Sequence, residues 1–573
     1  MHRRRFTQVL AGTLASVASR PETFAPLSIR EPGPRNVTAP TRLRDVNTTN
    51  IVDAVTLACG SMSRLFDGDH DNRPYSVVRL RPAAQLVIGN FSDAQVPGRH
   101  LHALLLAEKN MHIVIDESAI EKHTRIAFGS FSGILALPLN RVGVDGKLDL
   151  FRPVDLAHAL NGLYSLVAFR QSTRAQEIAE ACIAACLDLW DPEKGWKLDV
   201  IESRGIRYND PFPEAPFIAG IAMALGPLSR YERLTKSPNA GRLVGRLRDR
   251  LLDGFFAASG EYDPTRLGSH VHNIVYTLAS LAQHATLAAD DEVKARVHRF
   301  YDVGLKQMSN EIGWAMEFAG PRPSPGFPPQ SMFPDKGELG NTAKILETAL
   351  ELGRWGGAQY YDDAERIIRG HVLPSQFRDM SFMQDPPNPD AADDHHNVRE
   401  RIRGAWGYSA PYGLMPYGSG PGGSFMLTTA DVVGAVVSAL AEASAHASTF
   451  AKNAHHINLW FDGDTPELAI KSPYTSMMLQ LTIKKSGPVY LRRPRWLRDS
   501  HLAASVEANA SDRPGYARLQ QPASGRTTLA ITPPRRQLEL RCRERSIRAI
   551  ARGDEIFAMQ NLGSDWTFFE TVT

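Results

Sequence analysis

The spacing of hydrophobic residues changes once along this chain of 573 residues. From about residue 48 to 450, apolar residues recur with the 3.6-residue period of amphipathic helices. After about residue 455, short runs alternate between apolar and polar residues and are separated by turn residues, which is typical of antiparallel strands. Any fold of this chain must therefore accommodate a large helical region followed by a smaller region of strands.

The helical region predicts a series of antiparallel helix pairs, because short loops join successive amphipathic segments. These segments are 154–171, 174–190, 217–234, 240–257, 270–288, 291–308, 341–355, 360–373 and 429–447. Helix pairs of this kind build either a solenoid or a closed toroid, and the absence of a fixed repeat of about 33–47 residues favours the toroid. We predict a closed helical barrel over residues 46–452 and an antiparallel β-sandwich over residues 453–573.

The first 45 residues predict an export signal and a linker. Arg3, Arg4 and Arg5 precede a short apolar stretch from Val9 to Ala18, a pattern that fits twin-arginine export. The expected location is periplasmic or extracellular, and a disordered basic tail is the alternative. No later run approaches the roughly 18 apolar residues of a membrane-spanning helix.

Charge and cysteine content exclude several classes of protein. The 65 basic and 62 acidic residues give a formal net charge of +3, without the basic stripe of a nucleic-acid binder. Four cysteines are too few for a disulfide scaffold. The sequence also lacks a G-x-x-x-x-G-K-[ST] phosphate loop and a G-x-S-x-G nucleophile elbow.

The long segments between helices are the expected location of a functional site, since long loops in compact helical domains usually carry function. Segments 191–216, 309–340 and 378–428 are rich in glycine, proline, aromatic and acidic residues. Trp314, Trp406 and Tyr408 lie in these loops and are predicted to stack against sugar rings.

Several segments, in order, resemble one family of enzymes. They are PGRHLHALLLAE (97–108), GSHVHNIVYTLASLAQHA (268–285), IGWAMEFAG (312–320), KGELGNTAKILETALELGRWGGAQYYDDAERII (336–368), LTIKKSGPVYLRRPRWL (481–497) and IRAIARGDEIFAMQ (547–560). Together they are similar to the β-L-arabinofuranosidase family of glycoside hydrolases over most of the chain after residue 50. The resemblance implies an (α/α)6 barrel with a β-sandwich and a carbohydrate substrate.

The resemblance also implies a zinc ion held by a glutamate and cysteines, one of which attacks the sugar. This chain departs from that pattern, because Gly340 replaces the expected first cysteine and the stretch 422–433 contains none of the others. Without thiolates, neither that zinc site nor a cysteine nucleophile is available. We therefore expect no metal and no cofactor.

Two glutamates remain as candidate catalytic groups. By the resemblance, Glu317 matches the general acid and Glu338 matches the metal-binding glutamate. A glycosidase needs one protonated and one ionised carboxyl group beside the scissile bond, so Glu338 is predicted to act as base or nucleophile. The resemblance also assigns Arg99 and His270 to the barrel interior; we predict that these residues and His272 bind sugar.

The leading prediction is a glycoside hydrolase that acts on glycan side chains or oligosaccharides by carboxylate acid–base chemistry, and the resemblance implies a substrate like that of an arabinofuranosidase. One alternative is a polysaccharide lyase, in which His270 and Tyr408 transfer the proton. Another is a barrel that binds glycans without catalysis, suggested by the loss of every expected cysteine.

Overall fold

The computed structural model describes residues 40–142, 148–320, 330–332, 334–414, 426–497, 509–510, 513–519 and 525–572. Positions 1–39, which include the predicted export signal, lie outside the described residues. Within the described part, no helix combines the length and the apolar character needed to cross a membrane. The predicted fold class is confirmed, since a helical toroid precedes a C-terminal β-sandwich.

Twelve helices build the toroid. They are α1 (Ile51–Met62), α2 (Val96–Met111), α3 (Glu117–Ser130), α4 (Leu156–Arg170), α5 (Thr173–Leu189), α6 (Leu225–Thr235), α7 (Pro238–Gly254), α8 (Val271–Ala288), α9 (Asp291–Asp302), α10 (Leu339–Arg354), α11 (Ala358–Ile367) and α12 (Asp431–Ala447). The even-numbered helices form a closed inner ring in which each packs against the next, and α12 packs against α2. The odd-numbered helices pack outside that ring.

The hydrophobic pattern of each helix decides whether it lies inside or outside. In α12 every residue from Asp431 to Ala441 is buried, so this helix is surrounded by protein. In α7 the buried residues Leu243, Leu247 and Leu251 recur at helical spacing and form one face. A helix that is apolar all round belongs in a core, and one with a single apolar stripe belongs at a surface.

The inner and outer helices also begin differently. Five outer helices begin at a residue whose side chain accepts a hydrogen bond from the first turn, namely Asn50, Asp116, Ser172, Ser237 and Asp290. In the described part of the chain, none of the six inner helices has such a cap. The inner N-termini, without side-chain caps, therefore direct positive partial charge toward one end of the barrel.

Three predicted helices end or begin elsewhere than the periodicity indicated. The segment 217–234 becomes helical only at Leu225, after a 3-10 turn, because Pro227 is tolerated within a first turn but not inside a helix. The helix predicted over 291–308 ends at Asp302. The helix predicted over 360–373 changes into a π-helical turn at Ile368–Val372.

Two sheets face each other in the sandwich. One contains Ser448–Ala451, Ala454–Ile457, Val489–Arg492, Tyr516–Leu519 and Asn509–Ala510; the other contains Gly463–Asp464, Leu468–Lys471, Leu479–Ile483 and Gly525–Leu529. Their inward residues form a separate apolar cluster around Ile457, Leu481 and Leu491. Most neighbouring strands are antiparallel, and Ala454–Ile457 pairs in parallel with Val489–Arg492.

A further sheet after the sandwich packs on the toroid. It contains the strands Arg535–Cys542, Arg545–Arg552, Glu555–Met559 and Glu570–Thr571. We call its first two strands the C-terminal hairpin. Leu540 and Ile547 of this hairpin belong to the same apolar core as the barrel helices.

One more sheet joins chain segments that are far apart in sequence. Its strands, in spatial order, are Thr41–Arg42, Trp566–Thr567, Gly413–Leu414, Tyr408–Ser409 and Gly337–Glu338. We call it the bridging sheet. It connects the C-terminal end of the chain to the strand that carries Glu338.

Shorter elements complete the described structure. The strands are Phe66–Asp67 with Arg73–Pro74; Val77–Arg81 with Gln85–Val87 and Met426–Thr429; Leu139–Val142 with Leu148–Phe151 and Arg207–Tyr208; and Trp190–Asp191 with Gly195–Trp196. The short α-helices are Leu198–Ser203, Pro264–Leu267, Val398–Ile402 and Pro473–Ser476.

Candidate active site

Two loops at the N-terminal end of the inner ring pair as a short antiparallel bridge. Met316 lies opposite Gly337 in this bridge, so the flanking residues Glu317 and Lys336 also face each other. Residues two apart on a strand share a face, and Glu338 therefore projects to the same side as Lys336. An ion pair joins Lys336 Nζ to Glu317 Oε2. The bridge gathers two buried carboxylates and a buried ammonium group in one place.

The buried side chain of Gln330 holds the two loops together. Its amide oxygen accepts hydrogen bonds from the backbone N–H groups of Glu317 and Phe318, each at 3.0 Å. Its amide nitrogen donates to the carbonyl oxygens of Lys336 at 2.8 Å and Pro334 at 3.2 Å. One side chain thus bonds both backbones and limits movement of Glu317 relative to Lys336.

Glu338 lies where the inner helices converge. It is the N-cap residue of α10, and its side chain makes no capping hydrogen bond to the helix. Its Oε1 atom lies 3.1 Å from Nδ1 of His272, near the start of α8. That contact is not aligned as a hydrogen bond, so the attraction between the two groups is mainly electrostatic.

Arg99, in the first turn of α2, fixes the orientation of His272. Its Nη2 atom lies 2.8 Å from His272 Nε2. A guanidinium group only donates, so Nε2 is the acceptor and Nδ1 carries the ring hydrogen toward Glu338. Arg99 also contacts Asp431 Oδ2 at 2.5 Å and His158 Nδ1 at 3.0 Å. Four inner helices thereby contribute to the environment of one carboxylate.

A glycine makes this convergence possible. A β-carbon at Gly98 would lie 2.2 Å from the carbonyl oxygen of His158, so only glycine allows α2 and α4 to approach this closely. The neighbouring residue Arg99 then reaches His158 and the centre of the ring. The sequence Gly98-Arg99 therefore has a local physical cause.

The two carboxyl groups differ in their affinity for a proton. Burial raises the pKa of Glu317 despite the lowering effect of the Lys336 ammonium group. Burial acts in the same direction on Glu338, but the interaction with His272, with further contributions from His270 and Arg99, outweighs it and lowers the pKa of Glu338 to about 2. Environments that shift two neighbouring carboxyls in opposite directions assign them to acid and base roles.

Gly340 lies against the Glu338 carboxylate. A β-carbon at this position would approach Glu338 Oε1 to 2.5 Å and His272 Nδ1 to 3.5 Å. Any side chain here, including a cysteine, would displace the carboxylate from its present position. The glycine therefore permits Glu338 to lie over the N-terminus of α10, where a negative charge is favoured.

His270 and Tyr408 flank the glutamates. His270 stacks on Phe212, with ring centroids 4.1 Å apart, and burial lowers the pKa of this histidine to about 3. Tyr408 lies opposite Glu338 in the bridging sheet, and Lys336 Nζ lies 4.3 Å from the centroid of its ring. Both rings border the same group of charges, and their role in binding sugar stays a prediction.

The sugar-stacking role predicted for the two tryptophans does not agree with their positions. Trp406 is fully buried, and its indole N–H donates to the Val372 carbonyl at 2.7 Å. Trp314 is almost as buried and donates to the carbonyls of Asp335 and Ser409. Neither ring presents a free face, because each packs behind the site and supports the backbone of the surrounding loops.

Sequence reasoning missed Lys336, Gln330, Asp431 and His158. A signal existed for Lys336, since a residue two positions before Glu338 on a strand shares its face. His158 and Asp431 lie in first turns of inner helices, so a complete assignment of inner and outer helices would have placed them at the site. Gln330 had no local signal, because its partners are backbone atoms of other loops.

The donor set around Glu338 consists of carboxylate, imidazole, guanidinium and ammonium groups. Among the described residues, no group of three or more His, Cys, Asp or Glu side chains is arranged to hold a metal ion. The geometry can hold a proton on one carboxyl group and a negative charge on another, within a site bordered by aromatic rings.

Comparison with known proteins identifies relatives by fold alone. No protein-family model and no curated protein matches the chain. A GH127 β-L-arabinofuranosidase from Geobacillus stearothermophilus T6 matches in structure with a TM-score of 0.51 and 13% identity, over 89% of this chain and 80% of that protein. A second GH127 β-arabinofuranosidase matches with a TM-score of 0.52 and 12% identity, over 90% and 81% of the two chains. The fold of this protein is therefore GH127-like.

Proposed function

We propose that this protein is a glycoside hydrolase in which Glu317 is the general acid and Glu338 is the second catalytic carboxylate. The observation that carries the proposal is the bridge that brings both glutamates, buried, to one face at the N-terminal end of the barrel. Paired carboxyls with unequal proton affinity are the basic requirement of glycoside hydrolysis.

Glu317 supplies the proton to the leaving group. Its raised pKa keeps a proton on the carboxyl group to higher pH than for an exposed glutamate. Lys336 contacts the same carboxyl group and stabilises its anion after the proton has passed to the glycosidic oxygen. The bond from that oxygen to the anomeric carbon then breaks, and positive charge develops on the sugar.

Glu338 stabilises and resolves that positive charge. The carboxylate stays ionised, since the pKa of Glu338 is lowered to about 2. It either attacks the anomeric carbon or removes a proton from an attacking water, depending on its separation from Glu317. His272, held by Arg99, keeps the carboxylate in place.

The zinc chemistry implied by the sequence resemblance does not fit these residues. Gly340 offers no thiolate, and a cysteine side chain there would collide with the Glu338 carboxylate. We infer that the chain is a divergent GH127-like protein whose nucleophile or base is a carboxylate. No step of the proposed mechanism passes through a metal ion.

The proposed substrate is a glycan side chain or an oligosaccharide. Of the GH127 structures that share the fold, one is named a β-L-arabinofuranosidase and another a β-arabinofuranosidase, which makes the β-L-arabinofuranoside linkage the first to test. Tyr408 and His270 border the charged groups and provide the ring faces that sugars bind.

The test is a screen of p-nitrophenyl glycosides, including the β-L-arabinofuranoside, together with plant polysaccharides. Release of new reducing ends supports hydrolysis, whereas an unsaturated uronate product formed from a polysaccharide, detected by its ultraviolet absorbance, would show a lyase. No cleavage of any substrate, combined with glycan binding, would show a binding protein. Either of these last two outcomes contradicts the proposal.

Variants of Glu317 then test the assignment of the acid. E317Q should lower kcat on an unactivated linkage by about 10²–10⁴-fold. The loss should be much smaller on the p-nitrophenyl glycoside, whose leaving group needs no proton. E311Q is the matched control, because Glu311 is exposed on the same loop. Full activity of E317Q on the unactivated linkage would remove Glu317 from the mechanism.

A further inference from the structure

We propose that the C-terminal hairpin positions the catalytic strand Gly337–Glu338, and that Asp335 and Arg545 are the positioning residues through which it acts. The catalytic role in this inference rests on the proposed function. Its structural content, that the hairpin orders the segment 334–338, stands independently of the reaction.

The contacts of the Asp335 carboxylate carry the proposal. Asp335 is buried and directly precedes Lys336. Its Oδ2 accepts a hydrogen bond from the Tyr412 hydroxyl at 2.5 Å. Its Oδ1 lies 3.2 Å from Cys542 Sγ and forms an ion pair with Arg545. Two of these three partners belong to the C-terminal hairpin, more than 200 positions further along the chain.

The contacts of two neighbouring side chains explain why this contact controls the site. Lys336 pairs with Glu317 on the catalytic face, whereas Asp335, one residue earlier, directs its carboxylate to Tyr412, Cys542 and Arg545 on the back face of the strand. That back face is tightly packed, since a β-carbon at Gly337 would lie 2.5 Å from the indole nitrogen of Trp314. The hairpin therefore holds the strand from behind without entering the site.

The hairpin itself is well suited to act as a fixed support. Cys542 and Arg545 form its last pair, next to the turn, so the contact with Asp335 comes from the end of the hairpin. Leu540 and Ile547, two pairs further back, are buried in the core of the barrel. The position of the hairpin end is thus set by apolar packing and not by an exposed loop.

A second connection runs through the bridging sheet. Trp566 and Thr567 pair with Gly413–Leu414, which continues through Tyr408–Ser409 to the strand of Glu338. Asp335 also accepts a hydrogen bond from Trp314 through its backbone oxygen at 3.0 Å. The C-terminal part of the chain therefore fixes both the strand of Glu338 and the loop that leads to Glu317.

The experiment compares R545M, R545K and the control R548M in the full-length protein. Arg548 lies on the same strand, and it is exposed and remote from Asp335 in register. Hydrogen exchange measured by mass spectrometry should become at least 10-fold faster in the peptide spanning 330–340 in R545M and stay unchanged in R548M. R545K should restore most of the protection, because a lysine can still pair with Asp335.

Kinetics on a substrate found in the screen provide the second measurement. R545M should lower kcat at least 10-fold with a change of less than 3-fold in KM, since the glutamates move while the binding rings stay in place. Normal exchange in the 330–340 peptide of R545M would overturn the proposal. Uniformly faster exchange along the whole chain would also overturn it, because that outcome shows a general loss of stability.

The two proposals can fail separately. If the wild-type protein cleaves no glycan, the proposed function fails, but the exchange data still decide whether the hairpin orders the catalytic strand. If R545M exchanges faster only in 330–340 and keeps full kcat, the hairpin is a structural support and its positioning role is rejected. D335N removes the charge at the same contact and should reproduce the R545M pattern.

Discussion

The position of a single carboxylate depends on the absence of a single side chain. Gly340 allows Glu338 to lie over the first turn of α10, with a β-carbon at position 340 excluded by the 2.5 Å approach to Oε1. Glycine is otherwise a poor choice there, since alanine is more stable in a helix by up to about 1 kcal/mol. The geometry of the site, and not the stability of the helix, thus explains why position 340 is a glycine.

This contrast gives a prediction in which stability and activity change in opposite directions. G340A should leave the free energy of unfolding unchanged or increase it slightly, while kcat falls at least 10-fold because Glu338 is displaced. G245A is the control, since a β-carbon at Gly245, on the outer helix α7, meets no atom within 4 Å. Denaturant unfolding and kinetics on the same samples decide the question. An active G340A enzyme would show that Glu338 need not occupy its observed position.

The opposite pKa shifts of the two glutamates predict the pH dependence of hydrolysis. Catalysis requires Glu317 protonated, so kcat/KM falls as the pH rises through the raised pKa of this group. It also requires Glu338 ionised, so activity falls on the acid side only near pH 2. The protein should therefore be most active at acidic pH. A profile that rises to a plateau above pH 8 would contradict the assignment of Glu317 as acid.

Lys336 sets the upper limit of that pH range. Its ammonium group lowers the pKa of Glu317, in opposition to burial. In K336M this effect is lost, so the alkaline limb of kcat/KM should move upward by about one pH unit or more. K306M serves as control, because Lys306 is exposed outside the site. An unchanged alkaline limb in K336M would mean that another group controls it.

At the scale of elements, the capping pattern separates structural helices from those that build the site. In outer helices such as α5 and α9, a first-turn N–H group donates a hydrogen bond to the side chain of Ser172 or Asp290. The described inner helices have no such side-chain cap, and Glu338 and Asp431 lie at the N-termini of two of them. Negative charges at these ends are stabilised by the helix dipoles, which favours an ionised carboxylate at the centre of the ring.

Sequence periodicity was sufficient to predict most of these elements, but not how they meet. The helix predicted over 154–171 is present as Leu156–Arg170, because its apolar spacing is strong and local. The approach of Glu317 to Lys336 depends on pairing between loops, which leaves no periodic signal. The two tryptophans show the same limit, since sequence marks an aromatic residue without revealing which side of a loop it packs on.

The Gln330 contacts predict an effect that belongs to two loops together. Q330A removes four hydrogen bonds that join the backbone near Glu317 to the backbone near Lys336. Faster hydrogen exchange in both loops and a fall in kcat of at least 10-fold should follow, because Glu317 then moves relative to Glu338. Q330E keeps the acceptor for the Glu317 and Phe318 N–H groups but loses the donor to the Pro334 and Lys336 carbonyls, so it should be impaired as well. Full activity of Q330A would show that the bridge between the loops is stable without the Gln330 hydrogen bonds.

At the scale of the whole molecule, buried charges connect the sandwich to the barrel. Arg492, on a sandwich strand, pairs with Asp362 at 2.6 Å and with Glu365, both on the outer helix α11. Arg369 pairs with the same Glu365 at 2.9 Å and donates to the carbonyl of Trp460 at 2.7 Å. All of these charges are buried, so each depends on its partners to offset the cost of desolvation.

Removing one member of this network predicts a large loss of stability that spreads across both parts of the molecule. R492M leaves Asp362 with fewer partners, and Glu365 keeps the Arg369 ion pair and the hydrogen bond from the Trp460 N–H. Removing a partner from buried charges costs about 3–5 kcal/mol. R518M is the matched control, because Arg518 is exposed on a neighbouring strand of the same sheet. Thermal unfolding monitored by circular dichroism should show a clearly lower Tm for R492M only. If the helical and strand signals of R492M keep their wild-type Tm, the network does not stabilise the contact between sandwich and barrel.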